Sequence, residues 1–218
     1  MRYRPCCLSA WLVVVFSAGP LLAQQPVDPA GPRAALKGFY RALEAGDAAA
    51  VRASFHTAGE AERRLADAYA AQLTAAKALG DAAKAKFVAS GDALSKGLPL
   101  RDEIARADTA EVAASDDRAT VTLPGRPKPL TLVRSEGRWR LSLTDYAGAT
   151  PETLAAQTAV LNDMAGVFES VAADIAADRF PSAQEAQVAL QKKLQGVLFD
   201  GLRKNPPTTA PSATQPQP

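Results

Sequence analysis

The chain has two cysteines and one histidine among its 218 residues. Cys6 and Cys7 both fall in an N-terminal stretch that reads as a cleaved signal, so the remainder has no thiol for a disulfide, a zinc site or a nucleophile. Neither cysteine closes an apolar run in the manner of a lipid-attachment site. Aromatic residues make up only 6% of the chain, which favours closely packed helices over a large aromatic ligand cage. A long hydrophobic run is also missing: Leu8 to Leu22 covers about 15 residues and is interrupted by Ser17, Gly19 and Pro20, too short and too broken to span a bilayer. No phosphate-binding Gly-rich loop, dinucleotide fingerprint, Gly-x-Ser-x-Gly elbow or His-Glu-x-x-His sequence occurs.

What stands at the N-terminus is Arg2 and Arg4, that apolar run, and Ala23 before Gln24. A basic start, an apolar core and a small residue at the end form a secretory signal, so the protein is expected to be exported, to the periplasm or the medium, with no stable membrane span. Cleavage removes two of the 25 basic residues and none of the 23 acidic ones, leaving a formally neutral chain. A nucleic-acid partner is therefore not expected, since the electrostatic footprint is missing.

Residues 24–31 carry prolines and no periodicity and read as a flexible lead. Pro32 sits well in a first helical turn, and Leu36, Phe39, Tyr40 and Leu43 form an apolar stripe behind it. Gly46 stops this helix and Asp47 caps a second, which carries Val51, Ser54 and Phe55. Thr57 and Glu60 have capping-box spacing, opening a long Ala-rich helix to about Val88, with a soft point at Gly80-Asp81. Ser90 to Pro99 reads as a connector, followed by a helical turn near Arg101 to Ala107.

The period then changes to two. Glu111–Ala114, Arg118–Leu123, Leu130–Arg134 and Arg138–Leu143 predict an antiparallel meander with one buried and one wet face. Ala119, Val121 and Leu123 share one face, and Trp139, Leu141 and Leu143 lie opposite Arg138 and Arg140. Thr150-Pro151-Glu152 predicts a cap for a helix to Ala177, and Ser182 to Glu185 a capping box for a partner helix, together a hairpin. From Asn205 the chain is Pro, Thr, Gln and Ala and predicts disorder. The expected divisions are 1–23 signal, 24–31 lead, 32–149 an α+β domain, 150–204 a helical hairpin packed on it, and 205–218 a tail.

The run from Ala34 to His56, with its helix, Gly-Asp turn and second helix, resembles the opening of the nuclear transport factor 2-like (NTF2-like, SnoaL-like) superfamily. Ala119–Leu123 and Leu130–Leu143, with Glu136-Gly-Arg-Trp139, resemble its closing hairpin, and the pattern is closest to uncharacterised exported bacterial proteins of that kind. The resemblance implies an α+β fold on an NTF2-like core, and the chain departs from the family pattern in a reduced antiparallel sheet, a long third helix over Thr57 to Val88 and an added C-terminal helical hairpin, so that helix dominates. The resemblance also implies a residue near the cavity mouth where His56 stands.

His56 is the sole candidate for general acid or base work. Tyr40, Tyr69 and Tyr146 are candidate hydroxyl donors, and Tyr40, His56, Tyr69 and Trp139 make up the candidate ligand-binding set. Asp102-Glu103, Asp116-Asp117 and Asp145 are the candidate carboxylates, though turn chemistry explains Asp116-Asp117 better than a metal does. Arg126, Lys128, Arg134, Arg138 and Arg140 form the most basic region, read as a solvated face or an anion contact. No metal or cofactor is expected. The expected function is an exported, non-enzymatic module binding a small molecule or protein partner, with a homodimer as one form. Alternatives are a small isomerase, dehydratase or hydrolase using His56, or a helical scaffold of the cell envelope.

Overall fold

The computed structural model describes residues 31–88 and 100–204. The expected signal, nearly all of the lead, the connector to Pro99 and the C-terminal tail lie outside the described residues. Pro32 opens α1 (Pro32–Ala45), which ends at Gly46 in the left-handed conformation, φ 66°. Only glycine adopts that geometry at little cost. The Asp47 carboxylate then accepts from the Ala50 amide at 3.0 Å and caps α2 (Ala48–Ser54). Phe55 belongs not to this helix, as its apolar spacing predicts, but to β1 (Phe55–His56).

The long helix α3 (Glu60–Phe87) runs unbroken through Gly80, which is buried. The expected soft point does not restart the helix. Its start is also corrected: Gly59 is the cap, and the carboxylate that reaches back is Glu62, accepting from the Ala58 amide. After α4 (Arg101–Asp108) come β2 (Glu111–Ser115), β3 (Arg118–Thr122), β4 (Leu130–Ser135) and β5 (Arg138–Ser142). These four strands form the antiparallel meander that the alternation predicts, with β1 added in parallel beside β5 in the order β1-β5-β4-β3-β2. A short α5 (Leu143–Ala147) follows β5, its start capped by Ser142 and its end turned by Gly148.

Thr150 to Thr153 form a turn rather than a first helical turn, with the Thr153 amide donating to the Thr150 carbonyl at 2.9 Å, and α6 (Leu154–Ala176) begins later than the Thr-Pro-Glu pattern predicts. Ser182 caps α7 (Ala183–Lys204) as expected, accepting from the Glu185 amide at 3.2 Å. The fold is α+β and helix-dominated, with a small five-stranded mixed sheet. No described helix is long and apolar enough to cross a membrane.

Two apolar clusters hold these elements. In the first, Leu36, Phe39 and Tyr40 of α1 cover the inner sheet face of Ala119, Val121, Leu130, Leu132 and Leu141. Each such fully buried large side chain contributes about 2 kcal/mol. The second joins Leu79 and Ala83 to Val171 and Ile175 of α6 and Ala186 of α7. At 1.5 Å per residue α3 is about 42 Å long, enough to reach both clusters. Its Leu65 and Ala66 belong to the first cluster, while Leu79 and Ala83 belong to the second. Surface ion pairs such as Lys86 with Asp178 (2.6 Å) and Lys193 with Asp174 (3.3 Å) add little to this packing.

Candidate functional site

Where α3 passes from the first apolar cluster to the second, the two layers do not close completely. A cleft of about 630 Å³ opens there, a size usual for small-molecule sites. One wall is a stripe of α3, with Tyr69, Gln72, Leu73, Ala76 and Leu79 recurring every three or four residues on one side of the helix. Facing it are Phe39 and Leu43 of α1, Val51 of α2 and Phe55 of β1. Tyr146 of α5, Leu100, Phe168 of α6 and Leu190 of α7 complete the apolar lining. The charged members are Glu44, Lys77, Asp81 and Lys84.

The sheet-side end of the cleft is aromatic. Phe39 lies 5.3 Å from Phe55 and 5.2 Å from Tyr146 between ring centroids, and Tyr69 lies 5.8 Å from Phe55 and 6.3 Å from Tyr146. These separations are those of favourable edge and tilted ring pairs. An overall scarcity of aromatics thus does not stop five rings, with Tyr40 5.5 Å from Phe39, from collecting in one place. This corrects the inference drawn from composition. Arg126, on the turn after β3, places its guanidinium 5.9 Å from the Tyr146 ring centroid and donates to the Tyr40 hydroxyl at 3.4 Å.

Burial pushes the Tyr40 phenol up to about 12, against the opposing pull of the Arg126 charge. Burial likewise raises Tyr69 and Tyr146, so all three hydroxyls stay protonated near neutral pH. The Tyr69 and Tyr146 hydroxyls make no hydrogen bond among the described residues, and neither is a sealed, unsatisfied atom. They therefore remain open to solvent or ligand as neutral donors. At the far end of the cleft Lys77 pairs with Asp81 at 2.7 Å, holding the Asp81 carboxyl below its usual range through that hydrogen bond.

Of the four residues in the expected ligand set, only Tyr69 lines the cleft. Tyr40 is buried beside it, with its hydroxyl turned to Arg126. Trp139, half-buried, packs at the edge of the first cluster. His56 is placed otherwise than near a cavity mouth: Phe55 pairs with Leu141 and faces inward, so strand alternation sends His56, opposite Ser142, to the outer face. Among the described residues no side chain hydrogen-bonds or ion-pairs with His56. Among the described residues no carboxylate is bonded to it as the catalytic alternative requires.

Arg138 and Arg140 do share the outer sheet face, opposite Ser135 and Val133, where Arg140 pairs with Glu136 at 2.5 Å. Glu103 pairs with Arg106 at 3.1 Å, and Asp116 sits in the β2–β3 turn with φ 41°. Among the described residues no three potential metal ligands gather at one point.

Leu43, Gln72, Ala76 and Phe168 were outside the expected set although they line the cleft. The α3 stripe was the available signal: it continues past Tyr69 and Leu73, which pack at the first cluster, to Leu79 and Ala83 of the second. Comparison with family models, with curated proteins and with solved structures finds no match for this chain.

Proposed function

We propose that this chain is an exported, non-enzymatic binding protein, built on an NTF2-like core, that holds an apolar small molecule in the cleft beside α3. The observation that carries this reading is the cleft itself: about 630 Å³, with a mainly apolar lining and two unpartnered tyrosine hydroxyls at one end. Apolar walls supply affinity, and a few convergent donors fix orientation. The signal-like start supports export, and the helix, Gly46-Asp47 turn and helix order supports the NTF2-like reading.

The test is fluorescence titration with the neutral probe N-phenyl-1-naphthylamine, comparing the wild type with Ala76→Trp, which puts an indole into the cleft. Saturable binding lost in that variant, with far-UV circular dichroism unchanged, is the expected result. Equal binding by both, or none by the wild type, contradicts the reading.

A second reading, an interaction or self-associating protein of the cell envelope, is favoured by one observation. Phe199 and Leu198 on α7 are 65% and 50% exposed, and Val188 on the same helix is 59% exposed. The adjacent Leu198 and Phe199 offer exposed apolar surface of the kind that contact sites use. Sedimentation equilibrium showing a monomer at every concentration contradicts the homodimer.

A further inference from the structure

The cleft is long as well as apolar. Tyr69 and Lys84 both line it, fifteen residues apart on one unbroken helix. At 1.5 Å per residue they stand about 22 Å apart. A ligand that fills this length is extended rather than discoid, and the two ends offer it different chemistry. At the Tyr69 end the walls are rings, Phe39, Phe55 and Tyr146, with neutral phenols. At the other end the lining is charged.

The charges there do not cancel. Lys77 is matched by Asp81 at 2.7 Å, and Glu44 is faced by Arg101 at 3.9 Å. Lys84 makes no ion pair or hydrogen bond among the described residues, and its charge reaches Asp81 only at longer range. Among the described residues one positive charge is left over at this end of an apolar channel, complementary to an amphiphile with an anionic head. A phosphate monoester would bring close to two negative charges to one lysine, whereas a carboxylate brings one.

Given that the cleft is a binding site, as proposed, we infer that its occupant is a long single-chain carboxylic acid, its head at Lys84 and its tail against the aromatic end. The lengths agree: an extended chain of sixteen carbons spans about 19 Å, given C–C bonds of about 1.5 Å. At the aromatic end Arg126 is already engaged with the Tyr40 hydroxyl and the Tyr146 ring and does not line the cleft, which leaves Lys84 as the lining cation for the carboxylate.

The experiment is displacement of N-phenyl-1-naphthylamine from the purified protein by laurate and by dodecanol, and by decanoate and palmitate as a chain-length series. In the wild type laurate is expected to compete about threefold to fivefold better than dodecanol, the size of an exposed ion pair. Affinity rises from decanoate to palmitate as more apolar surface is buried. Lys84→Gln, an exposed substitution that leaves the fold intact, removes the preference for the acid, whereas Lys192→Gln, outside the cleft, keeps it. Equal competition by acid and alcohol, or a preference that survives in Lys84→Gln, overturns the carboxylate assignment and leaves the cleft as a binding site. Failure of the neutral probe to bind at all overturns both.

Discussion

Replacing Ile175 with alanine tests whether the two apolar clusters are one cooperative unit. Ile175 is 1% exposed and packs with Leu79, Ala83, Val171 and Ala186 in the helical layer. Truncation there removes three carbons and leaves a cavity, a loss of about 2 to 5 kcal/mol. With a urea slope of about 2 kcal/mol per molar, the unfolding midpoint falls by about 1 to 2.5 M. Helix content reports on the whole chain, but a protein beginning at Gln24 carries Trp139 as its only tryptophan, and Trp139 packs at the sheet cluster, to which Ile175 does not belong. Since α3 contributes Leu65 to one cluster and Leu79 to the other, the damage is transmitted. Circular dichroism at 222 nm and Trp139 fluorescence are therefore expected to shift together by the same amount. A fluorescence midpoint that stays at the wild-type value while the dichroism midpoint drops would refute the claim that α3 welds the layers.

Glycines give a paired test by thermal melting. Gly38→Ala, mid-helix and with open space where a Cβ would sit, stabilises by about 0.5 to 1 kcal/mol, whereas Gly46→Ala, at φ 66° and 3.3 Å from Lys77 Cδ, destabilises by about 1 to 2 kcal/mol. Asp47→Ala removes the α2 cap and costs about 1 kcal/mol in urea unfolding. Alkaline titration at 295 nm tests the tyrosines. Tyr40 is raised from 10.0 to about 12 in the folded protein, so its stabilising contribution is complete below pH 10 and is lost as pH climbs through 12. Phenol ionisation complete near pH 10 in folded protein contradicts the burial. His56→Gln leaves naphthylamine binding unchanged, because His56 faces away from the cleft; a marked loss of affinity argues against that orientation.

The four meander strands were legible to within a residue or two because alternation such as Ala119, Val121, Leu123 leaves one register that buries apolar side chains. The helix stop at Gly46 and the helix start at Ser182 were legible for local reasons, since a left-handed glycine and a serine cap act within a few residues. Thr57-Glu60 and Thr150-Pro151-Glu152 misled because their spacing fits a cap, while Glu62 reaches back to the Ala58 amide and Thr150 to Thr153 close a turn, so the caps are Gly59 and Thr153. Two residues, Phe55 and His56, are too few to show a period, and their parallel partner β5 lies far along the chain. The cleft was illegible for the same reason: its lining combines helices from both layers beside a strand, and only folding brings Leu43, Ala76 and Phe168 together.

Whether the cleft beside α3 is the binding site is decided by methyl and amide chemical-shift mapping of the protein with and without N-phenyl-1-naphthylamine. Perturbations are expected to concentrate on Leu43, Leu73, Ala76 and Tyr146, which line the cleft. Perturbations confined to the outer sheet face around His56 and Arg140, or to the exposed Leu198 and Phe199, would contradict it.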